Sequence, residues 1–577
     1  MSSSKETVHE SDTHESTDTH ESTDGCTDTH EGTDKCTDTP ESTDQCTDTQ
    51  YLSGVSLLLT LSSCIVSLFI VALDQTIVST ILTTVGDEFN SFERVGWLTS
   101  GFMLPMACLV ASYGKISIAF GRKTTLIGGI IIFEIGSLIS ALSTSMNMLI
   151  GGRVVQGVGG GAVQSMVMVI LSESVAISRR SLVFASVAVV WSTSSVLGPI
   201  IGGALEKISW RWCFYINLPI GGASLAVLLF GYRPKSNTVN SVKERLQQID
   251  YLGTILVSSG IVMVLLGMTL GGNEYAWDSA AIICLFVIGG VVCILFIVWN
   301  FKYSSHPIIL GEFVKSVPIM ASIISAMFNF GFFISNMTYL AIYFQVVKSA
   351  SSFQSGIDLL PLVIAVTVSS LCNSIFIDIT KNVKLTMIVS GVLSPIGTGL
   401  FLLMGKNTSL GVRIGIMVVS GVSIGLQFQS SLLSAQLEVD TPEALIMVTV
   451  FMNFMKNLGS TVSVTLAQLI FTQTGISYIK KVVSDDIPAE TLISNPRTIH
   501  ALPLEVQETI LDQFVRALKN VFYFGLALGV VCFVASMFTT NKRIPKGEEK
   551  RGDDDRGEGE EGEEGEEGEE EEIKDRC

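Results

Sequence analysis

The chain alternates between long apolar stretches and short polar breaks. Stretches able to cross a hydrocarbon core of about 30 Å fall near 55–78, 96–114, 124–143, 147–171, 181–204, 212–231, 250–270, 279–300, 319–344, 356–377, 384–403, 411–431, 445–471 and 521–540. This pattern predicts fourteen transmembrane helices and therefore an all-α polytopic membrane protein. An even number of spans puts both tails on one side. The longest interior break, 472–520, is expected to be a partly ordered loop on the opposite side. It carries Asp485, Pro488, Pro496 and Pro503, followed by an amphipathic stretch at 504–519.

Loop charge orients the chain. The breaks at 115–123, 178–180, 232–249, 301–318 and 378–384 hold thirteen Lys and Arg, among them Arg122, Lys123, Arg180, Lys315 and Lys381. The opposite short breaks hold five: Arg94, Lys207, Arg211, Lys348 and Lys406. The positive-inside rule then predicts cytoplasmic tails.

Composition sharpens this picture in one respect. The 577 residues have a formal net charge of −18, yet residues 51–540 carry 23 acids against 26 bases. The acidity belongs to the tails and says nothing about the ligands of the body. Residues 9–49 are a Thr/Asp/His/Glu-rich repeat whose later copies place Cys26, Cys36 and Cys46 ten residues apart. With so few apolar residues this segment cannot bury enough surface to offset its ordering entropy, and disorder is expected for it and for the Gly-Glu run at 547–577. His9, His14, His20 and His30 lie in the same repeat and are read as part of a solvated tail; no metal site is expected. The eleven cysteines have no paired spacing across the body, so buried free thiols are expected. The polar first 50 residues show no cleavable signal peptide, leaving the first span as the insertion signal.

Charges inside apolar spans are costly and mark pathways. Asp74 lies in the first span, Glu134 in the third, and Arg153 in the fourth together with Gln156. Lys456 falls midway along the thirteenth, between Asn453 and Asn457, while Asp358 is expected at a helix end. A carboxylate in an apolar site exchanges a proton more readily near neutral pH, and a neighbouring Arg opposes that shift. An Asp–Arg pair on adjacent helices can therefore switch protonation or stand as a fixed ion pair. The run Gly157 to Ala162 fits G-x-G-x-x-A, but it lies inside an apolar helix without a preceding strand, so a dinucleotide site is rejected. Small residues there let helices approach closely. No G-x-x-x-x-G-K-[ST] occurs, so nothing points to ATP, to an enzyme or to nucleic acid.

Several motifs carry a family resemblance. Leu73-Asp74-Gln75-Thr76-Ile77-Val78 resembles the first-helix motif of the fourteen-span drug:proton antiporters of the major facilitator superfamily. Gly114-Lys115-Ile116-Ser117-Ile118-Ala119-Phe120-Gly121-Arg122-Lys123 resembles its signature gating loop, and Arg153 to Gly159 its fourth-helix motif. Leu197-Gly198-Pro199-Ile200-Ile201-Gly202-Gly203 is similar to the fifth-helix antiporter motif, with Trp210 to Gly221 following it. The later chain, with Leu265-Leu266-Gly267, Gly271-Gly272 and Trp277, is similar to the fungal branch that holds dye- and azole-resistance transporters and vacuolar basic amino acid transporters.

The resemblance implies six-helix bundles at 51–231 and 317–540, with two extra spans in the linker 232–316 and cytoplasmic tails at 1–50 and 541–577. It implies alternating access around a midplane site, with a proton gradient as the energy source, no cofactor, and lipophilic or cationic compounds as substrates exported across the bilayer. Loading of basic amino acids into the vacuole, and a non-transporting sensor, are the alternatives. The plasma membrane is favoured over the vacuolar membrane. Asp74 and Arg153 would couple protons, with Gln156 and Glu134 beside them, while Gly198, Pro199, Gly202 and Gly203 would form the hinge. The signature loop departs from its pattern at Ile118, where an acid is usual, so a charge contact that helps latch the cytoplasmic side is expected to be weak or missing. Ser194 stands where the fifth-helix motif commonly has its first glycine.

Overall fold

A computed structural model of the chain describes residues 54–91, 94–232, 247, 249–272, 275–482, 489–494, 499 and 502–545. Residues 1–53 and 546–577, and Asp485, Pro488 and Pro496 of the long break, lie outside the described residues. Fourteen helices among the described residues are long and apolar enough to span a membrane. In chain order they are α1 Gly54–Leu82, α2 Gly96–Phe120, α3 Arg122–Ala141, α4 Met146–Ser174, α5 Ile177–Glu206, α6 Trp212–Gly231, α7 Tyr251–Leu270, α8 Ala280–Tyr303, α9 Val317–Val347, α10 Phe353–Thr380, α11 Val383–Leu403, α12 Leu410–Gln436, α13 Pro442–Ile479 and α14 Val506–Met537. Each expected apolar stretch has its helix.

The helices outrun the apolar stretches where polar residues sit at their ends, because a polar side chain does not by itself break a helix. The α2 helix runs past Lys115 to Phe120 and stops where Gly121 adopts φ 91° and ψ 148°, a backbone conformation that side chains oppose. The expected loop at 472–520 is shorter than the sequence suggested. The α13 helix continues to Ile479, and the amphipathic stretch is the beginning of the last helix, which runs unbroken over Leu504–Met537. No Gly or Pro interrupts 504–524. The extension of the last helix packs on α13 through Phe514 and Phe471, with ring centroids 5.1 Å apart.

Helices α1–α6 pack among themselves, as do α9–α14, giving two six-helix halves. The α7–α8 pair touches α2 and α13, with hydroxyl contacts from Ser258 to the Cys108 carbonyl at 3.3 Å and between Ser112 and Thr254 at 3.2 Å. The outer face of α8 exposes Ile283, Val287, Val291 and Ile294, an apolar surface that suits lipid. The halves meet along α2–α13 and α5–α10. At the end carrying the basic loops they are tightly apposed: a Cβ on Gly114 would sit 3.1 Å from Met447 Sδ, and Arg180 Nη1 donates to Gln436 at 3.3 Å. The described chain begins and ends there too. Ser56 donates to the Gly231 carbonyl on one helix pair, and the amide of Ile544 donates to the Lys381 carbonyl at 3.1 Å.

Candidate functional site

One turn of α1 points in several directions. Thr76 donates to the Ser194 carbonyl of α5 at 2.9 Å, while Gln75 approaches Met106 of α2. Between them Asp74, with 0% exposure, enters the interior of the first half. There it forms an ion pair with Arg153 of α4, itself 1% exposed. The other carboxylate oxygen accepts from Gln156 Nε2 at 3.0 Å and from Asn217 Nδ2 of α6 at 3.0 Å. Arg153 Nη1 also donates to Gln156 Oε1 at 2.9 Å, and its Nε donates to the Leu98 carbonyl of α2 at 2.9 Å. Ser137 of α3 accepts from Gln156 at 2.8 Å and from Asn217 at 3.2 Å. The guanidinium lies 4.5 Å from the Phe102 ring centroid, with Phe214 at 5.9 Å.

Five helices thus share one buried network around a single acid–base pair. Helix α4 can supply both Arg153 and Gln156 because residues three apart share a helix face. Arg153 lies seven residues in from Met146, about 10 Å along the helix, so the pair sits nearer the end opposite the basic loops. Removing one partner of such a pair leaves an uncompensated buried charge, and a single proton added to Asp74 has the same electrical effect.

Glu134 lies one turn from Ser137 on α3. Its two carboxylate oxygens are buried and unpartnered, and the carboxylate rests against the backbone of Gly221, where a Cβ would collide with it. Gly221 is one turn beyond Asn217, so Glu134 neighbours the Asp74 network without joining its hydrogen bonds.

The fifth-helix motif divides by face. Gly198 closes on Thr76, and Gly202 on Thr80 and Ile77 of α1; any Cβ there would clash. Gly203 meets nothing within 4 Å, and Pro199 turns toward Gly356 of α10 in the other half. In the signature loop, Gly114 faces α13 and Gly121 makes the turn. Arg122 forms a bidentate pair with Glu173 of α4, its shorter arm 3.0 Å. Lys123 donates to the carbonyls of Leu229 and Tyr232. Ile118 packs into the apolar core and brings no charge to this loop.

At the far end Glu88 accepts from Trp210 Nε1 at 2.5 Å and Arg211 Nη2 at 2.9 Å. Burial pushes the Glu88 carboxyl up, but the bonds from Trp210 and Arg211 outweigh it and hold the carboxyl below its usual range.

Sequence reasoning paired Asp74 with Arg153 but passed over Asn217, Ser137 and Leu98. Asn217 had a signal: it is a carboxamide within an apolar span. The Leu98 carbonyl had none, since only packing brings a backbone oxygen to a guanidinium. Asp358 lies within α10, at the joint between its first turns, Ser352–Asp358, and Leu360–Thr380, and accepts from Gln354 at 3.2 Å.

Fourteen apolar helices in two six-helix halves, with a buried ionisable network inside the first, define a polytopic membrane protein. The family model of the Major Facilitator Superfamily matches residues 64–464, and the chain belongs to that superfamily. It is 31% identical to Azole resistance protein 1 of Saccharomyces cerevisiae, over 85% of this chain and 89% of that protein. It is 33% identical to Vacuolar basic amino acid transporter 5 of the same yeast, over 86% and 93%. Among solved structures, a bacterial homologue of the human lysosomal transporter Spinster, inward-facing and unoccupied, superposes with a TM-score of 0.52 at 12% identity, covering 86% of this chain and 100% of that one; this likeness shows the fold alone. The protein is an integral membrane transporter, not an enzyme.

Proposed function

We propose that the chain is a proton-coupled antiporter exporting drugs, dyes and other lipophilic compounds. The observation that carries this reading is the Asp74–Arg153 pair, buried and shared among helices of the first half. Protonating Asp74 neutralises the acid, frees Arg153 and loosens the bonds that hold α1 to α4 and α6. Arg153 also grips the Leu98 carbonyl, so its release reaches α2, one of the helices that closes the halves. Gly198 and Gly202 give α5 a close seat on α1, through which that loosening passes to the second interface. The pair's position toward the end opposite the basic loops favours protonation from outside, with tails and basic loops in the cytoplasm and the plasma membrane as the location. Glu134 is a second carboxylate beside the same network. No cofactor enters the mechanism.

One pH unit is worth about 1.4 kcal/mol, so a gradient of two units supports roughly 100-fold accumulation for one proton per substrate. Exchange of a proton for a monovalent cation is electroneutral, whereas a neutral substrate gains about 2.3 kcal/mol per 100 mV.

The test is proton-gradient-driven movement of a fluorescent lipophilic dye in proteoliposomes, comparing the intact protein with Asp74→Asn and Arg153→Ala. Gradient dependence is expected in the first and lost in both variants. Undiminished gradient-driven transport by Asp74→Asn overturns the coupling role. The relative named as a vacuolar basic amino acid transporter supports a second reading, proton-driven loading of basic amino acids into the vacuole. Lysine or arginine uptake in the same vesicles, with no dye movement, selects it. Failure of both assays, with signalling lost on deleting residues 1–50 and 547–577, would favour a sensor.

A further inference from the structure

The two carboxylates at membrane depth, Asp74 and Glu134, both belong to the interior of the first half. On the second half the charge is of the other sign. Lys456 lies fourteen residues into α13 from Pro442, about 21 Å along the helix, and is 9% exposed. Its ammonium donates once, to the Phe428 carbonyl at 3.2 Å, and lies 5.4 Å from the Phe428 ring. An ammonium has three donors, and among the described residues no carboxylate comes within ion-pair distance of this one.

Asn453, one turn away on the same helix, has a buried Nδ2 with no acceptor. The neighbouring Asn457 reaches across to Gln164 of α4 at 3.4 Å, so this part of α13 lies where the halves meet. Both unsatisfied groups are donors. Beside them, Phe428 packs on Phe330, and Phe330 on Phe333, with centroids 6.2 and 6.0 Å apart.

We propose that Lys456 and Asn453 form the anchoring subsite for an anionic group of the cargo, a carboxylate or phenolate, with the Phe330–Phe428 rings receiving its apolar body. The cargo class is then an amphipathic organic acid, opposite in sign to the lipophilic cations that the sequence suggested. A buried cation without a counter-charge is expensive, and an acceptor-bearing anion satisfies the ammonium and the amide together. This inference rests on the exporter reading for its cargo, but not on proton coupling. An anion leaving against an entering proton moves two charges in the same electrical sense, so export grows with an inside-negative potential.

The test is gradient-free binding to the full chain in nanodiscs, using two probes with the same fluorophore: dansylglycine, an anion, and dansylcadaverine, a cation. The intact protein is expected to bind dansylglycine more tightly. Lys456→Gln should weaken dansylglycine about tenfold or more, the scale of losing one partner of a buried charge pair, and leave dansylcadaverine unchanged or improved. Lys456→Arg, which keeps the charge, should stay within about threefold, and its rescue separates a lost anchor from a misfolded protein. Preference of the intact protein for dansylcadaverine, or equal binding of both probes by intact protein and Lys456→Gln, overturns the proposal. Anion binding that needs Lys456, but without gradient-driven transport, leaves the anchor standing and removes the antiport reading.

Discussion

Both halves build a polar core from corresponding helices. In the first, α1, α3, α4 and α6 contribute Asp74, Ser137, Arg153 with Gln156, and Asn217. In the second, α9, α11, α12 and α14 contribute Asn329 with Ser325, Ser390, Gln427, and Cys532. Gln427 Oε1 accepts from Asn329 at 2.8 Å, Ser390 at 3.1 Å and Cys532 at 3.1 Å, while its Nε2 donates to Ser325. The plan is the same and the chemistry differs. A network of amides and hydroxyls is satisfied at every ordinary pH, so it holds its helices together permanently. A network centred on one carboxylate and one guanidinium is satisfied in only one protonation state. On the proposed reading, the switch lies in one half alone, which leaves the other free to be scaffold and cargo surface.

The sharpest way to break that contrast is to disable each core in turn. Asp74→Asn should abolish proton-driven accumulation, a loss of roughly 100-fold at a gradient of two pH units. Gln427→Met should keep the gradient dependence of whatever transport survives. Loss of gradient dependence in Gln427→Met would mean that coupling is spread over both halves.

Stability should separate the cores as well. Asp74→Asn leaves Arg153 buried and unpaired, at about 3–5 kcal/mol, while Gln427→Met leaves neutral partners unsatisfied at about 1–3 kcal/mol. Adding Arg153→Met to Asp74→Asn should recover most of the first loss without restoring coupling. Denaturant unfolding in detergent checks all three proteins.

A smaller effect is expected at the α1–α5 seat. Gly198→Val inserts atoms where Thr76 already lies, and overpacking of this kind costs about 1–3 kcal/mol; transport should slow with it. Gly203→Ala, which meets open space, should stay within about 0.5 kcal/mol.

The smallest effect concerns Glu88, 40% exposed. Its carboxyl titrates below its usual range in the folded protein. Its bonds to Trp210 and Arg211 therefore contribute stability above the usual carboxylate range, and that contribution is lost as pH falls through the depressed folded value. Glu88→Gln should flatten the acid limb of a stability–pH profile, with under about 1 kcal/mol at neutral pH, as for exposed pairs. An unchanged acid limb would remove the clasp.

Much of the fold was legible because a bilayer leaves few choices. A stretch of some twenty apolar residues must satisfy its backbone internally, and only a helix does so within one segment. The spans therefore follow from local composition, and the pairing of Asp74 with Arg153 from the cost of charge at depth. The break at 472–520 was only partly legible, for the complementary reason. Outside the hydrocarbon, composition no longer decides, and the extension of the last helix to Leu504 brings Phe514 against Phe471, a contact set by the fold.

By itself, the sequence determined the number of spans, their alternation and the identity of the few charges inside them, because hydrophobic length and charge burial are local quantities. Only the tertiary structure decided which other groups join or miss the Asp74–Arg153 pair. Asp74 and Arg153 are 79 residues apart and share one ion pair, Glu134 stops one helical turn short of them, and Lys456 has no acid within ion-pair distance among the described residues. Those outcomes depend on the rotation of each helix about its own axis, which is set by packing against neighbours far away in the chain.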